Sequence, residues 1–485
     1  MSEPMSLIGQ VRELAELCRA EVPTCAAHYT TILDRIDEPL RVAIAGKVKA
    51  GKSTLLNALL GAELAASDAG ECTRIVTWYQ HGDEVSVHGE TQAGRFPLPF
   101  SHEGGKLDID LDGRDPDDFK RLVVAAPLRD LAQTSLIDTP GMASLSTDIA
   151  SKSTDFLTPE DGQNTVVDAV IYLLRHLHAT DVSFLHAFHD REFASPSPVN
   201  CLGVLSRADE VAVGRLDAMD SARKIASRYS TDPRLRRLVQ GVVPVAGLIG
   251  QASSSLTDGD AEDLRAIAQL DAGPAQLALL SIDRFLTDEA LSLAPSRRQD
   301  LLDRLGLFGL RLVESNLRSG LVSTTEEIRG LLRDESGITH LADTLAVVFG
   351  GRRDTLKARS ALVAIERLMA AEDHPREATA RLERIWASAH DFAELRTLNV
   401  IRDADIGLQP EQMLEAERAL GGFGTLPYER AGLDADCDDA EVRQVLLEII
   451  SRWRAVGANP IADRSVTALS DVVIRSCEGT YARLA

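Results

Sequence analysis

Three lysines, two glycines and a serine fall within eight residues, Gly46-Lys47-Val48-Lys49-Ala50-Gly51-Lys52-Ser53. The spacing G-x-x-x-x-G-K-[ST] is that of a phosphate-binding loop, whose backbone N–H groups cradle a polyphosphate. Lys52 would reach the β- and γ-phosphates, and the Ser53 hydroxyl would hold Mg²⁺. Gly46 and Gly51 let the backbone wrap closely, while Lys47 to Ala50 and Thr54 complete the loop and the helix start behind it. A chance glycine-rich turn is the plain alternative. The flanks oppose it: Arg41 to Ala45 reads as a buried strand, and Thr54 to Leu60 as a helix.

Three later stretches narrow the nucleotide. Glu71-Cys72-Thr73 lies 20 residues beyond Ser53. Thr73 there can close over the γ-phosphate and add its hydroxyl to the Mg²⁺ shell, as a first switch loop does; a plain loop threonine is the alternative. Asp138-Thr139-Pro140-Gly141 ends a strand. Its carboxylate would sit near Mg²⁺ through water, and the Gly141 N–H would meet the γ-phosphate. Ser206-Arg207-Ala208-Asp209 stands where a guanine-reading [NT]-K-x-D is expected. Asp209 can accept from guanine N1–H and N2–H₂, which adenine cannot supply, so an ATP-using enzyme is disfavoured. Ser206 and Arg207 depart from the usual pair, although Arg207 can lay its stem and guanidinium plane along the base. Val245-Ala246-Gly247 offers backbone contact to the base through Ala246 and Gly247. The expected ligand is GTP with Mg²⁺.

These motifs need a particular scaffold. Short apolar runs at Val42–Ala45, Ile75–Tyr79, Val85–His88, Leu122–Ala125, Ser135–Ile137, Asp168–Leu174, Cys201–Leu205 and Val242–Val245 read as strands alternating with helices, a mostly parallel α/β sheet. The polar stretch from Gly89 to Pro116 reads as an exposed hairpin or insertion. Beyond about Ala261 only helical patterns continue. Leu301, Leu305, Phe308 and Leu312 form one seam, Ala378 to Leu398 a second, and Val442, Leu446, Ile449, Trp453 and Val456 a third. Helical spacing also precedes the nucleotide motifs, at Leu7, Val11, Leu14 and Cys18, and that prefix should pack on something later in the chain.

Bulk composition sets limits. At 485 residues the chain exceeds a single core, and 26% charged residues with 44% hydrophobic ones are globular values. A net charge of −22 argues against nucleic acid as main partner and against binding anionic lipid by overall charge. Six scattered cysteines without a CxxC pair read as reduced thiols. No signal-peptide pattern opens the chain, so a cytoplasmic protein is expected.

Together the phosphate loop, Glu71–Thr73, Asp138–Gly141 and Ser206–Asp209 resemble the dynamin superfamily of large GTPases. The strings Arg175-His176-Leu177-His178, Leu302 to Gly309 and Leu356 to Leu362 are similar to the mycobacterial and actinobacterial isoniazid-inducible (Ini) family. The resemblance implies GTP hydrolysis driving a helical neck and trunk, membrane binding or remodelling at the inner face of the plasma membrane, and self-association or pairing with a sister dynamin-like protein. The expected plan is N-terminal neck helices at 1–38, a GTPase domain at 39–290, a neck helix at 291–335, a helical trunk at 336–460 and a C-terminal neck helix at 461–485. A soluble GTP switch whose arm binds a protein partner is the alternative.

Two departures bear on mechanism and on membrane contact. Where dynamins carry a water-orienting glutamine and a serine, this loop has Val48 and Lys49. Valine cannot orient water, so Lys52, Thr73 and Lys49 remain as catalytic candidates, and Lys49 could act as a charge-compensating finger or be a solvated loop lysine. Phe423, Leu426 and Tyr428 in Gly421–Arg430, and Phe349, Arg352 and Arg353, have the composition of lipid-contacting loops. The Gly421–Arg430 stretch also fits a helix–helix turn packed on its own bundle. His176, His178, His186 and His189 are a metal set on paper, but polar helix positions explain them better.

Overall fold

Side-chain alternation decides how the central sheet is covered. In β1 (Leu40–Gly46), Val42 and Ile44 join one buried cluster while Ala43 and Ala45 join another. A strand buried on both faces must lie between two helical layers. The computed structural model describes residues 6–65, 75–103, 106–139, 167–178, 180–183, 185, 200–403, 408–459 and 463–484.

The other strands are β2 (Thr77–His81), β3 (Ser86–Thr91), β4 (Gly94–Pro97), β5 (Phe100–Glu103), β6 (Lys106–Ile109), β7 (Phe119–Ala126), β8 (Thr134–Asp138), β9 (Ala169–Leu174), β10 (Cys201–Ser206) and β11 (Val242–Val245). Nine of them form one sheet in the order β11-β10-β9-β1-β8-β2-β7-β3-β4. The half from β11 to β8 is parallel; β2 runs antiparallel to β8, and β3 to both β7 and β4. All eight expected strands are present. The polar insertion supplies the edge strand β4 and a separate hairpin, β5 with β6.

N-terminal helices α1 (Leu7–Glu21) and α2 (Ala26–Asp37) precede β1, and α3 (Lys52–Leu60) follows the phosphate loop. Then come α4 (Ala218–Thr231), α5 (Gly247–Ser255), α6 (Asp258–Gln269), α7 (Pro295–Arg318), α8 (Thr325–Ser336) and α9 (Ile338–Val348). Pro295 opens α7, and a reciprocal Thr324–Glu327 capping box opens α8. Beyond short helices at Pro233–Arg236, Ala272–Ala278, Ile282–Thr287 and Pro427–Ala431, the later helices are α10 (Arg353–Ala371), α11 (Arg376–Ser388), α12 (His390–Asp403), α13 (Pro410–Ala419), α14 (Asp439–Gly457) and α15 (Arg464–Arg483).

The packing regroups the expected domains. Leu301, Leu305, Phe308, Ile328 and Leu332 of α7 and α8 lie in one sheet-face core; Ile338, Leu341, Val348 and Phe349 lie in the other. The segment expected as a neck helix, and the start of the expected trunk, therefore cover the sheet. The prefix packs on a later segment, as expected: Val11, Leu14, Tyr29 and Ile32 share a core with α10, α11 and the start of α12. Tyr29 Oη and His374 Nε2 are hydrogen-bonded at 2.6 Å. The C-terminal helix α15 instead packs with α13, α14 and the end of α12. Among the described residues the three segments expected to form the neck fall in three different cores, because an amphipathic seam specifies that a face is buried and not which surface covers it. The second seam is two helices, since Ala389 leaves helical geometry (φ −69°, ψ 110°).

The helical arm joins the sheet at the amino ends of its strands. Arg35 on α2 reaches Asp168 at 2.9 Å, where β9 begins, Arg353 bonds Gln133 before β8, and Lys357 bonds the Glu38 carbonyl. Arg35 and Asp168 are both nearly buried, which makes this ion pair a fixed point of the joint.

Candidate functional site

The carboxyl ends of β1, β8, β10 and β11 carry the expected motifs at the pole opposite the joint, where α/β sheets bind ligands. β1 ends at Gly46, with φ of 154°; a Cβ there would stand 2.9 Å from the Leu173 carbonyl oxygen. Gly51, with φ of 90°, caps α3 without a side-chain hydrogen bond. Its helix start is thus available to an anion, with Lys52 as its first residue. Lys49 has φ of 61° and is exposed, as is Val48.

Lys47 is already engaged. Its Nζ lies 3.1 Å from Asp181 Oδ2, and Asp181 also accepts from the Tyr172 hydroxyl and the His178 N–H at 2.9 Å each. Asp181 is 1% exposed. Burial pushes the Tyr172 hydroxyl far above its ordinary range, so it stays a donor. This cluster binds the second residue of the phosphate loop to the segment after β9. The sequence reading missed it, because the partners lie 134 residues apart and no motif joins them.

Ser53 and Asp138 meet beside the loop, with Ser53 Oγ donating to Asp138 Oδ2 at 3.4 Å. Two oxygen donors at this spacing form a donor set suited to Mg²⁺. Thr139 ties the end of β8 to β1 by donating to the Ile44 carbonyl at 2.9 Å. Thr73, Gly141, His186 and His189 lie outside the described residues. Among the described residues no cluster of three metal-binding side chains exists.

A cleft of about 160 Å³ opens beside the loop, lined by Gly51, Thr54, Arg207, Asp209, Gly247 and Leu248 among others. Asp209 is 8% exposed, and burial pushes its carboxyl up to about 6. Ser206 also lines the cleft, and its hydroxyl donates to the Leu174 carbonyl at 3.3 Å. Arg207, with φ of 53°, pairs with Glu210 at 2.8 Å, and Arg175 pairs with the same carboxylate. The Ala246 N–H donates to the Ser336 carbonyl at 2.9 Å and its carbonyl accepts from the Gly250 N–H, while Gly247 lines the cleft.

The two candidate lipid-contacting stretches differ. Phe349 is 2% and Arg352 6% exposed, and Arg352 donates to the carbonyls of Leu420 and Gly421. That stretch is a buried anchor, not a tip: the sheet core takes its phenylalanine, and a neighbouring turn takes its arginine. Arg353 is half-buried and occupied by Gln133. Phe423 and Leu426 are each about half exposed, while Tyr428 rests against the α13–α15 core. Thr425 sits against Gly351, so this loop lies beside the joint. Among the described residues no helix is long and apolar enough to cross a membrane.

Residues 42–187 match the dynamin family. The chain is 36% identical over 454 residues to "Isoniazid-induced protein IniC" of Mycobacterium tuberculosis, covering 92% of this chain and 91% of that one. "Bacterial dynamin-like protein" of Nostoc punctiforme is 31% identical over 117 residues, 21% of this chain and 16% of its own. A chain of a solved oligomerised bacterial dynamin pair aligns at 12% identity and TM-score 0.32, covering all of this chain and 77% of that one. An identity of this extent across nearly the whole of both chains, joined to a phosphate loop and a Ser53–Asp138 pair at the strand ends, identifies the family: this chain belongs to the dynamin superfamily as an IniC-like protein.

Proposed function

We propose that this chain binds GTP with Mg²⁺, hydrolyses it, and uses the cycle to move its helical arm against a lipid membrane at the inner face of the plasma membrane. The observation that carries the nucleotide reading is the buried Asp209 facing the same cleft as Gly51 and Thr54. In this reading Asp209 takes guanine N1–H and N2–H₂, Arg207 flanks the base, and Gly247 closes its far side. Lys52 and the amides from Gly46 to Ser53 hold the phosphates. Ser53 and Asp138, with Thr73, would hold Mg²⁺, which supplies charge neutralisation at the β- and γ-oxygens. Gly141 would meet the γ-phosphate, and exposed Lys49 serves as the compensating charge in a loop whose Val48 cannot orient water.

The packing supports a division into a nucleotide body of about 39–352 and an arm built from 1–38 and 353–484. Exposed Phe423 and Leu426 support the membrane reading. Burial of Phe349 and Arg352 favours a second reading, in which the arm binds a protein partner or a sister dynamin-like chain. Co-sedimentation with liposomes, with and without a non-hydrolysable GTP analogue, separates them. The membrane reading expects nucleotide-dependent pelleting that Lys52→Ala abolishes and Phe423→Ser/Leu426→Ser weakens without loss of GTP turnover. Full GTP binding with no pelleting on neutral or anionic vesicles would overturn it in favour of the partner.

A further inference from the structure

Helix α7 lies against the loop that carries Asp209. It breaks at Gly306, where φ is 61° and ψ is 176°, and a Cβ there would stand 3.3 Å from Leu248 and 3.8 Å from Asp209 Oδ2. Five residues on, Arg311 donates to four main-chain carbonyls: Val213 at 3.1 Å, Gly214 at 2.6 Å, Leu279 at 2.9 Å and Leu280 at 2.9 Å. The loop it grips is conformationally expensive. Ala212 and Val213 have φ of 53° and 61°, values that cost an alanine or a β-branched valine energy, and the Val213 side chain is 84% exposed. Val213 thus gains little from packing, so the geometry must be held from outside. A Cβ on Gly214 would be 3.5 Å from the Asp209 carbonyl oxygen and 3.6 Å from Phe308 N, so α7, the strained turn and the Asp209 backbone are in close contact.

We propose that Arg311 and Gly306 are positioning residues for guanine recognition: Arg311 pins the strained turn after Asp209, and the left-handed break at Gly306 sets the course of the α7 backbone beside its carboxylate. The proposal rests on the reading of Asp209 as the base acceptor. A carboxylate accepting two parallel N–H bonds needs both oxygens aimed, so misaiming it penalises a base with two donors more than a base with one. Hypoxanthine has the N1–H and lacks the 2-amino group. Arg311 is distant in sequence from every nucleotide motif, and the α7–α8 segment that bears it also accepts the Ala246 N–H at Ser336. Both base-side turns are therefore held by one stretch of chain.

Steady-state hydrolysis of GTP and ITP by the full chain tests this. Arg311→Ala should raise KM for GTP about tenfold and for ITP about twofold, with kcat changed less than about twofold. Arg311→Lys should fail to rescue, since one ammonium cannot span two loops. Gly306→Ala should act in the same direction and supplies the reading if Arg311→Ala does not fold. Equal losses for GTP and ITP, a loss confined to kcat, or rescue by lysine would overturn the positioning role. Asp209→Asn, assayed with GTP and XTP, separates the two levels, because an amide can donate to the xanthine 2-oxo group. If that variant does not turn from GTP towards XTP, the guanine site itself is misassigned and the proposal falls with it. If it does turn and Arg311→Ala leaves the GTP/ITP ratio intact, only the proposal falls.

Discussion

Lys47 Nζ lies 3.1 Å from Asp181 Oδ2, so the first lysine of the phosphate loop is spent on the protein before any nucleotide arrives. Two lysines, Lys49 and Lys52, are left to face the phosphates, and the like-charge crowding of three in six residues is relieved.

The pair is asymmetric, which gives a stability ranking. Asp181 is buried with three donors aimed at it, whereas the Lys47 side chain is 32% exposed and can return to water. Asp181→Asn should cost about 2 kcal/mol in denaturant unfolding, since an amide nitrogen then meets donors. Lys47→Met should cost more, about 3 kcal/mol, because it strands a buried carboxylate. The reverse ranking would refute the tether as described.

Nucleotide affinity should depend on pH through Asp209. Its carboxyl titrates at about 6 in the free protein, raised from 3.8 by burial, and only the ionised form accepts both guanine donors. GTP affinity should be flat above about pH 7 and fall by up to tenfold per unit below 6. The linkage to folding has the opposite sense. A raised carboxyl pKa favours the fold when protonated, so the penalty grows from pH 3.8 to about 6 and is complete above that. Asp209→Asn should therefore raise the melting temperature of the nucleotide-free protein at pH 7.5 while removing the stabilisation by GDP. A variant that melts lower at that pH would contradict the cause assigned here.

Lys49 occupies a left-handed backbone position and is exposed at the loop's crest. Lys49→Ala should lower single-turnover GTP hydrolysis about 100-fold while GTP binding changes little. Unaltered turnover in the presence of vesicles or a partner would leave Lys49 as a solvated side chain.

The arm is closed by a buried bidentate pair. Arg430 donates to both Glu394 oxygens at 2.7 and 3.0 Å and to Ser476 Oγ at 2.6 Å, joining α12, the short helix Pro427–Ala431 and α15. Burial alone would raise the Glu394 carboxyl; the Arg430 hydrogen bonds and guanidinium charge, with a hydrogen bond from Ser476, hold it below its ordinary range. Arg430→Ala should destabilise the arm by about 3–5 kcal/mol, because it strands a buried carboxylate. Ser476→Ala should cost about 1 kcal/mol. GDP binding by the Arg430 variant below its melting point should persist, and its loss would mean that the arm and the nucleotide body are not separable.

Much of the nucleotide domain was legible in order. Val42–Ala45 and Cys201–Leu205 are continuous apolar runs that end in glycine or polar residues, and such runs announce buried strands with their site-bearing ends. Long-range pairings were not legible. Arg311 and Gly214 lie 97 residues apart, and Lys47 and Asp181 lie 134 apart; each partner alone is an ordinary charged or turn residue. Phe349 and Arg352 were misread because an aromatic and an arginine beside two glycines have the same composition in an exposed loop as in a buried anchor. Only the neighbours, Leu420 and Gly421, distinguish the two.

The Tyr29–His374 bond joins residues 345 positions apart, and it imposes an order of birth. At ~5–20 residues per second of synthesis, α1 and α2 wait ~20–70 s for the helices that cover Val11, Leu14, Tyr29 and Ile32. For that interval the nascent chain carries an uncovered greasy stripe while the sheet folds behind it. Chains that stop short of α10 keep the stripe for good, and premature termination should yield aggregates or chaperone clients in place of a free nucleotide domain.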